Sequence, residues 1–137
     1  MPYSAKVMFS VVNDVAAYPE FLSWCGGIKI HAETSDSMEA SVLMQKGKLN
    51  HWFSTKNIIT ENRRIEMDLI DGPFRSLHGI WEFEMLSEDS CKIKLDLNFE
   101  LSTGLTSVLI APIFNQIANT MVDSFCSRAH EIERNEK

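Results

Sequence analysis

From Cys91 to Leu101 the chain alternates strictly, with Cys91, Ile93, Leu95, Leu97, Phe99 and Leu101 set against Lys92, Lys94, Asp96, Asn98 and Glu100. A period of two predicts a strand with one buried and one wet face. The same reading puts Leu77, Gly79, Trp81, Phe83 and Met85 on one face, and Ile65, Met67 and Leu69 on another, while Glu66, Asp68, His78, Glu82 and Glu84 point away. Polar stretches at 34–37 (TSDS), 61–64 (ENRR), 71–73 (DGP) and 87–90 (SEDS) divide residues Ile28 to Leu101 into strands of an antiparallel meander.

Helical spacing brackets this region. Ser4 caps a first helix carrying Met8, Val11, Val12 and Val15 until Tyr18-Pro19 stops it, and Pro19 opens a further turn through Glu20, Phe21 and Leu22 before Gly26-Gly27. After Thr103-Gly104 the period becomes 3.6. Leu109, Ile113, Ile117, Met121 and Phe125, with Ile110, Phe114, Ala118, Val122 and Ala129, form one broad apolar stripe. Pro112 is expected to kink or restart this helix, leaving the stripe mainly in 112–132. One amphipathic helix and a one-sided sheet must bury their apolar faces on each other. The expected fold is therefore α+β, one domain over residues 1–137, with a curved antiparallel sheet wrapped around the C-terminal helix and a cavity between them.

Composition narrows the function classes. Hydrophobic residues make up 45% and charged residues 23% of the 137, enough apolar surface to close a core without metals or disulfides. No apolar run approaches the roughly 18 residues that span a bilayer, and the N-terminus lacks a signal-peptide layout, so a cytoplasmic protein is expected, with peripheral contact at the inner membrane as the nearest approach to lipid. Cys25, Cys91 and Cys126 are widely separated and read as thiols of a reducing compartment. A net charge of −6 argues against DNA binding. Between residues 46 and 75, however, six basic residues (Lys46, Lys48, Lys56, Arg63, Arg64, Arg75) face four acidic ones (Glu61, Glu66, Asp68, Asp71), which makes the six candidates for a surface contact.

Catalytic chemistry has little support. His31, His51, His78 and His130 show no metal-ligand spacing, and Cys25 has no activating base near it in sequence. Asp14, Tyr18, Asp71, Arg75 and His78 are the groups an enzyme would have to use, yet the inward positions are overwhelmingly apolar. No catalytic residue, metal or required cofactor is assigned. The candidate cavity lining is Trp24, Phe53, Met67, Leu69, Phe74, Leu77, Trp81, Phe83, Leu97, Phe99, Phe114, Ile117, Met121 and Phe125, and its methionines suit irregular contents.

Three stretches carry a resemblance: VVNDVAAYPEFLSWC at 11–25, LIDGPFRSLHGIWEF at 69–83 and APIFNQIANTMVDSFCSRA at 111–129. They resemble the START-like proteins of the coenzyme Q-binding and ribosome association toxin (RatA) group. The resemblance implies the helix-grip fold: a strand, two short helices, six more strands and a long C-terminal helix closing a hydrophobic cavity. Ser23 stands where the family usually has proline, and about a strand's length usually precedes the Pro2-Tyr3-Ser4 segment, so a first strand beside Cys91–Leu101 is expected to be missing. The resemblance implies a non-catalytic protein that binds ubiquinone or another prenyl lipid and supports respiration. Each five-carbon prenyl unit would then contribute about 3–4 kcal/mol before ordering costs. Its alternative is a toxin that binds the 50S ribosomal subunit and blocks subunit association. More distant relatives of polyketide cyclase type supply the enzyme alternative, with Asp71 or His78 carrying turnover.

Overall fold

The computed structural model describes residues 2–47, 49–102 and 104–135. Its first helix, α1 (Ala5–Asn13), is capped by Ser4, whose Oγ accepts from the Val7 N–H at 3.2 Å, and it buries Ala5, Met8, Phe9, Val11 and Val12. Asp14 leaves helical geometry (φ −82°, ψ 68°), so Val15 falls in a separate 3₁₀ turn, Val15–Glu20, rather than in the same helix. Pro19 lies inside that turn instead of opening the next one. The Tyr18 carbonyl accepts from both the Phe21 and Leu22 N–H groups and closes it.

Six strands follow: β1 (Cys25–Glu33), β2 (Ser37–Lys46), β3 (Leu49–Thr60), β4 (Arg64–Asp71), β5 (Phe74–Ser87) and β6 (Ser90–Leu101). They form one curved antiparallel sheet in sequence order, each strand hydrogen-bonded to the next, with β1 and β6 at the edges among the described residues. The four anticipated turns are all present. A fifth, not anticipated, joins β2 to β3 at Gly47, which adopts φ +61°.

The last helix, α2 (Leu105–Asn135), runs unbroken through Pro112, against the expected restart. Pro112 cannot donate to the Val108 carbonyl, but Val108 is 70% exposed, so water can serve that oxygen. The buried stripe starts at Ile110 and continues through Phe114, Ile117, Phe125 and Ala129, while Leu109, expected within it, is 63% exposed. Two apolar clusters join the helix to the concave face of the sheet. One unites α1 and the 3₁₀ turn with Trp81, Phe83 and Phe125, and the other unites Met44, Phe74, Leu77, Ile110, Phe114 and Ile117. No helix among the described residues is long and apolar enough to cross a membrane.

Candidate functional site

Between α2 and the concave face lies a cavity of about 70 Å³. Of the 14 residues expected to line it, Trp24, Phe53, Met67, Leu77, Trp81, Leu97, Phe114, Ile117 and Met121 do. The other five sit behind that wall. Phe74 and Phe99 pack edge-on against Phe114 with ring centroids 4.8 and 4.5 Å away, and Leu69 packs against the same cluster. Phe83 stacks on Trp81 at 6.3 Å, and Phe125 is enclosed by Tyr18, Phe21 and Trp81. These contacts fill with side chains much of the space a ligand would need, since sites enclosing drug-sized ligands measure roughly 300–1,000 Å³.

The lining also contains residues the sequence reading missed: Val15, Ala40, Val42 and three polar side chains, Tyr18, Thr55 and Asn57. The alternation Phe53, Thr55, Asn57, Ile59 along β3 carries the signal, because all four fall on the inward face. Thr55 and Asn57 are each 7% exposed, and the Thr55 hydroxyl donates to Asn57 Oδ1 at 3.0 Å. The Tyr18 hydroxyl donates to the Val12 carbonyl. Burial first, then the nearby Cys25 and Asp14, push that hydroxyl's pKa well above the ordinary 10.0. Cys25 is packed, its Sγ 3.7 Å from the Gly27 carbonyl oxygen, and burial raises its thiol as well.

None of the enzyme candidates other than Tyr18 reaches the cavity wall. Asp71 is exposed, and its Oδ1 accepts from the Gly72 N–H at 2.9 Å, which shapes the turn. Asp14 is exposed beside the 3₁₀ turn, and Arg75 pairs with Glu100 at 2.9 Å. His78 lies on the outer face of the sheet, where its Nδ1 is 2.6 Å from Asp68 Oδ1 and its Nε2 is 3.7 Å from Glu66 Oε1. The structure thereby gathers Glu66, Asp68 and His78, a set of cation-ligating types that spacing alone did not reveal. Both ring nitrogens face a carboxylate, an arrangement that bridges β4 to β5.

A second, surface pocket of about 110 Å³ adjoins the cavity, and Trp24 and Ile117 line both. Lys46 closes over it with Nζ 2.8 Å from Gln116 Oε1, tying the end of β2 to α2. The other basic candidates do not gather with it. Arg63 and Arg64 sit at the β3–β4 turn, at the far end of a 12-residue strand from Lys46. Arg64 pairs with Glu66 at 3.5 Å, Lys56 lies between Glu39 and Asp68 in register, and Lys48 falls outside the described residues. The outer face of β1 and β3 instead presents Trp52, 37% exposed, with Lys29 Nζ 4.5 Å from its ring centroid. The sequence reading named neither, because they are 23 residues apart and meet only through sheet pairing.

Comparison with known proteins adds names to this geometry. Residues 1–126 match the family described as polyketide cyclase / dehydrase and lipid transport. The chain is 45% identical over 132 residues to the ribosome association toxin RatA of Pseudomonas aeruginosa, covering 96% of this chain and 92% of that protein. It is 25% identical over 127 residues to the mitochondrial coenzyme Q-binding protein COQ10 of Drosophila melanogaster, covering 90% of this chain and 52% of that one. Among solved structures, the Zhui aromatase/cyclase of a Streptomyces species superposes with a TM-score of 0.82 at 11% identity, covering 94% of this chain and 88% of that chain. A START superfamily protein of Mycobacterium smegmatis superposes with a TM-score of 0.79 at 19% identity, covering 96% and 93%. These two likenesses establish the helix-grip fold and nothing about chemistry.

Proposed function

The chain belongs to the polyketide cyclase / dehydrase and lipid transport family, within the group that includes the RatA toxins, and from that premise we propose that it is a non-catalytic cytoplasmic protein that binds the large ribosomal subunit and hinders subunit association. The observation that carries this reading is 45% identity, over almost the whole of both chains, to a protein named for ribosome association. It takes precedence over the quinone reading for two reasons. The likeness to the coenzyme Q-binding protein is 25% and spans about half of that protein. The cavity, at about 70 Å³, is several-fold smaller than a site that would enclose a prenylated quinone.

A ribosomal partner demands an outer surface of cations and aromatic rings that can meet phosphates and unstacked bases. Lys29 and Trp52 are such a pair, and Lys56 is exposed on the same strand face as Trp52. Sedimentation of purified protein with ribosomal subunits on sucrose gradients tests the reading. Co-migration with the large subunit that weakens as salt rises, with fewer joined ribosomes, is expected; absence from the subunit fractions at low salt would sink it.

A second reading, reversible binding of a hydrophobic molecule in the interior, is favoured by one observation. The cavity wall is almost entirely apolar yet holds the buried pair Thr55 and Asn57. Catalysis is not proposed, because among the described residues no carboxylate, imidazole or lysine belongs to that wall. Organic extraction of the purified protein followed by mass spectrometry tests for such an occupant; a compact apolar molecule is expected, and the absence of any co-purifying organic molecule would count against this reading.

A further inference from the structure

We infer that Thr55 and Asn57 form a recognition site for a carbonyl-type acceptor on a compact apolar ligand, such as a small aryl ketone. This rests on the second reading above and deepens it. The inward alternation of β3 brings both residues to the cavity wall, each 7% exposed, among Trp81, Met67, Leu97 and Phe114. The Thr55 hydroxyl spends its proton on Asn57 Oδ1 at 3.0 Å. That bond fixes the amide, oxygen toward Thr55, and leaves the two Nδ2 protons as donors. Among the described residues no acceptor takes them. Among the described residues no fully enclosed side-chain nitrogen or oxygen lacks a partner, so the unpaired Nδ2 must border open space, and the space at this wall is the cavity. Tyr18 does not compete, because its hydroxyl is already committed to the Val12 carbonyl.

A buried donor without an acceptor is unfavourable, so a guest that supplies an acceptor is preferred over one of the same shape that does not. The ligand must also be small or must displace its surroundings. An engineered cavity of about 150 Å³ holds a benzene ring, and here about 70 Å³ is present. Met67 and Met121, both in the wall, are the side chains best able to give way.

The test uses acetophenone and α-methylstyrene, two planar probes that differ in a carbonyl oxygen replaced by a methylene group. Calorimetric affinities of both are measured on the full chain and on Asn57→Leu, with Thr55→Val as a second variant that removes the orienting bond but keeps the amide. Comparing the two probes within each protein cancels their shared apolar contact. The ketone-to-alkene preference is expected to fall about fivefold in Asn57→Leu and partway in Thr55→Val, with the alkene's affinity held within about twofold. An unchanged preference in both variants, with both probes bound, would overturn the assignment while leaving the cavity reading intact. If neither probe binds the unmodified protein, the cavity reading and this site fall together.

Discussion

Tyr18 shows how one side chain links the chain's local turn to its interior. It closes the 3₁₀ turn through its own carbonyl, packs edge-on against Phe21 and Phe125, and donates its hydroxyl to the end of α1. Because burial raises its pKa, the folded state keeps a proton that the unfolded chain releases near pH 10. The associated stability is complete below pH 10 and is lost as pH climbs above it. Tyr18→Phe is therefore expected to cost about 1 kcal/mol at pH 7, through the orphaned Val12 carbonyl. It should also flatten the loss between pH 9.5 and 11 by up to about 1.4 kcal/mol. Urea unfolding of both proteins across that range measures the difference, and parallel curves would refute it. At this scale the sequence was readable for large apolar side chains and misleading for small polar ones. Phe53, expected to line the cavity, faces inward from β3, and Thr55 and Asn57, which an apolar pattern leaves out, share its parity.

The β4–β5 turn and α2 each hold a residue whose backbone decides the element. Gly72 sits at φ +148°, and a Cβ there would lie 2.7 Å from Phe53 Cβ. The Asp71-Gly72-Pro73-Phe74 motif is thus explained by backbone and packing: Asp71 holds the Gly72 N–H, glycine alone fits, and Phe74 enters the aromatic cluster with Phe53 and Phe114. Gly72→Ala is expected to destabilise by about 1–3 kcal/mol, read as a lowered thermal midpoint. Pro112→Ala should act in the opposite direction. It restores an N–H for the Val108 carbonyl on the exposed side of an unbroken helix, gaining about 1–2 kcal/mol after the added freedom of the unfolded chain is counted. A lower melting temperature for Pro112→Ala would mean that the proline shapes α2 in a way the fold requires. Strand and turn positions were legible because their period and turn chemistry are local. The Gly47 turn was missed because one glycine between lysines forms no turn cluster of its own.

For the whole molecule, the outer face of β1–β3 is where the ribosome reading becomes testable at a surface. Lys29→Glu and Trp52→Ala alter exposed groups and should leave the melting temperature nearly unchanged. Under that reading each weakens co-sedimentation with the large subunit by roughly tenfold, through a lost phosphate contact or a lost stacking platform. Arg64→Glu, at the remote β3–β4 turn, is expected to have a smaller effect. Equal losses from all three would point to general charge rather than a defined face. Retention by Trp52→Ala and Lys29→Glu would move the contact elsewhere on the protein.

By itself the sequence determined the layers: a period of two from β4 to β6, a period of 3.6 in α2, and the turn residues between them, since these patterns depend on neighbours along the chain. Only the tertiary structure decided how much space remained between the layers. Cavity volume depends on how Phe74, Phe99 and Phe114 interlock across β5, β6 and α2, a packing that no single segment encodes. The structure likewise decided which distant side chains meet, setting Lys29 over Trp52 across the intervening β2 and His78 beside Asp68 on the paired strands β4 and β5, because a sheet brings together strands that are remote in sequence.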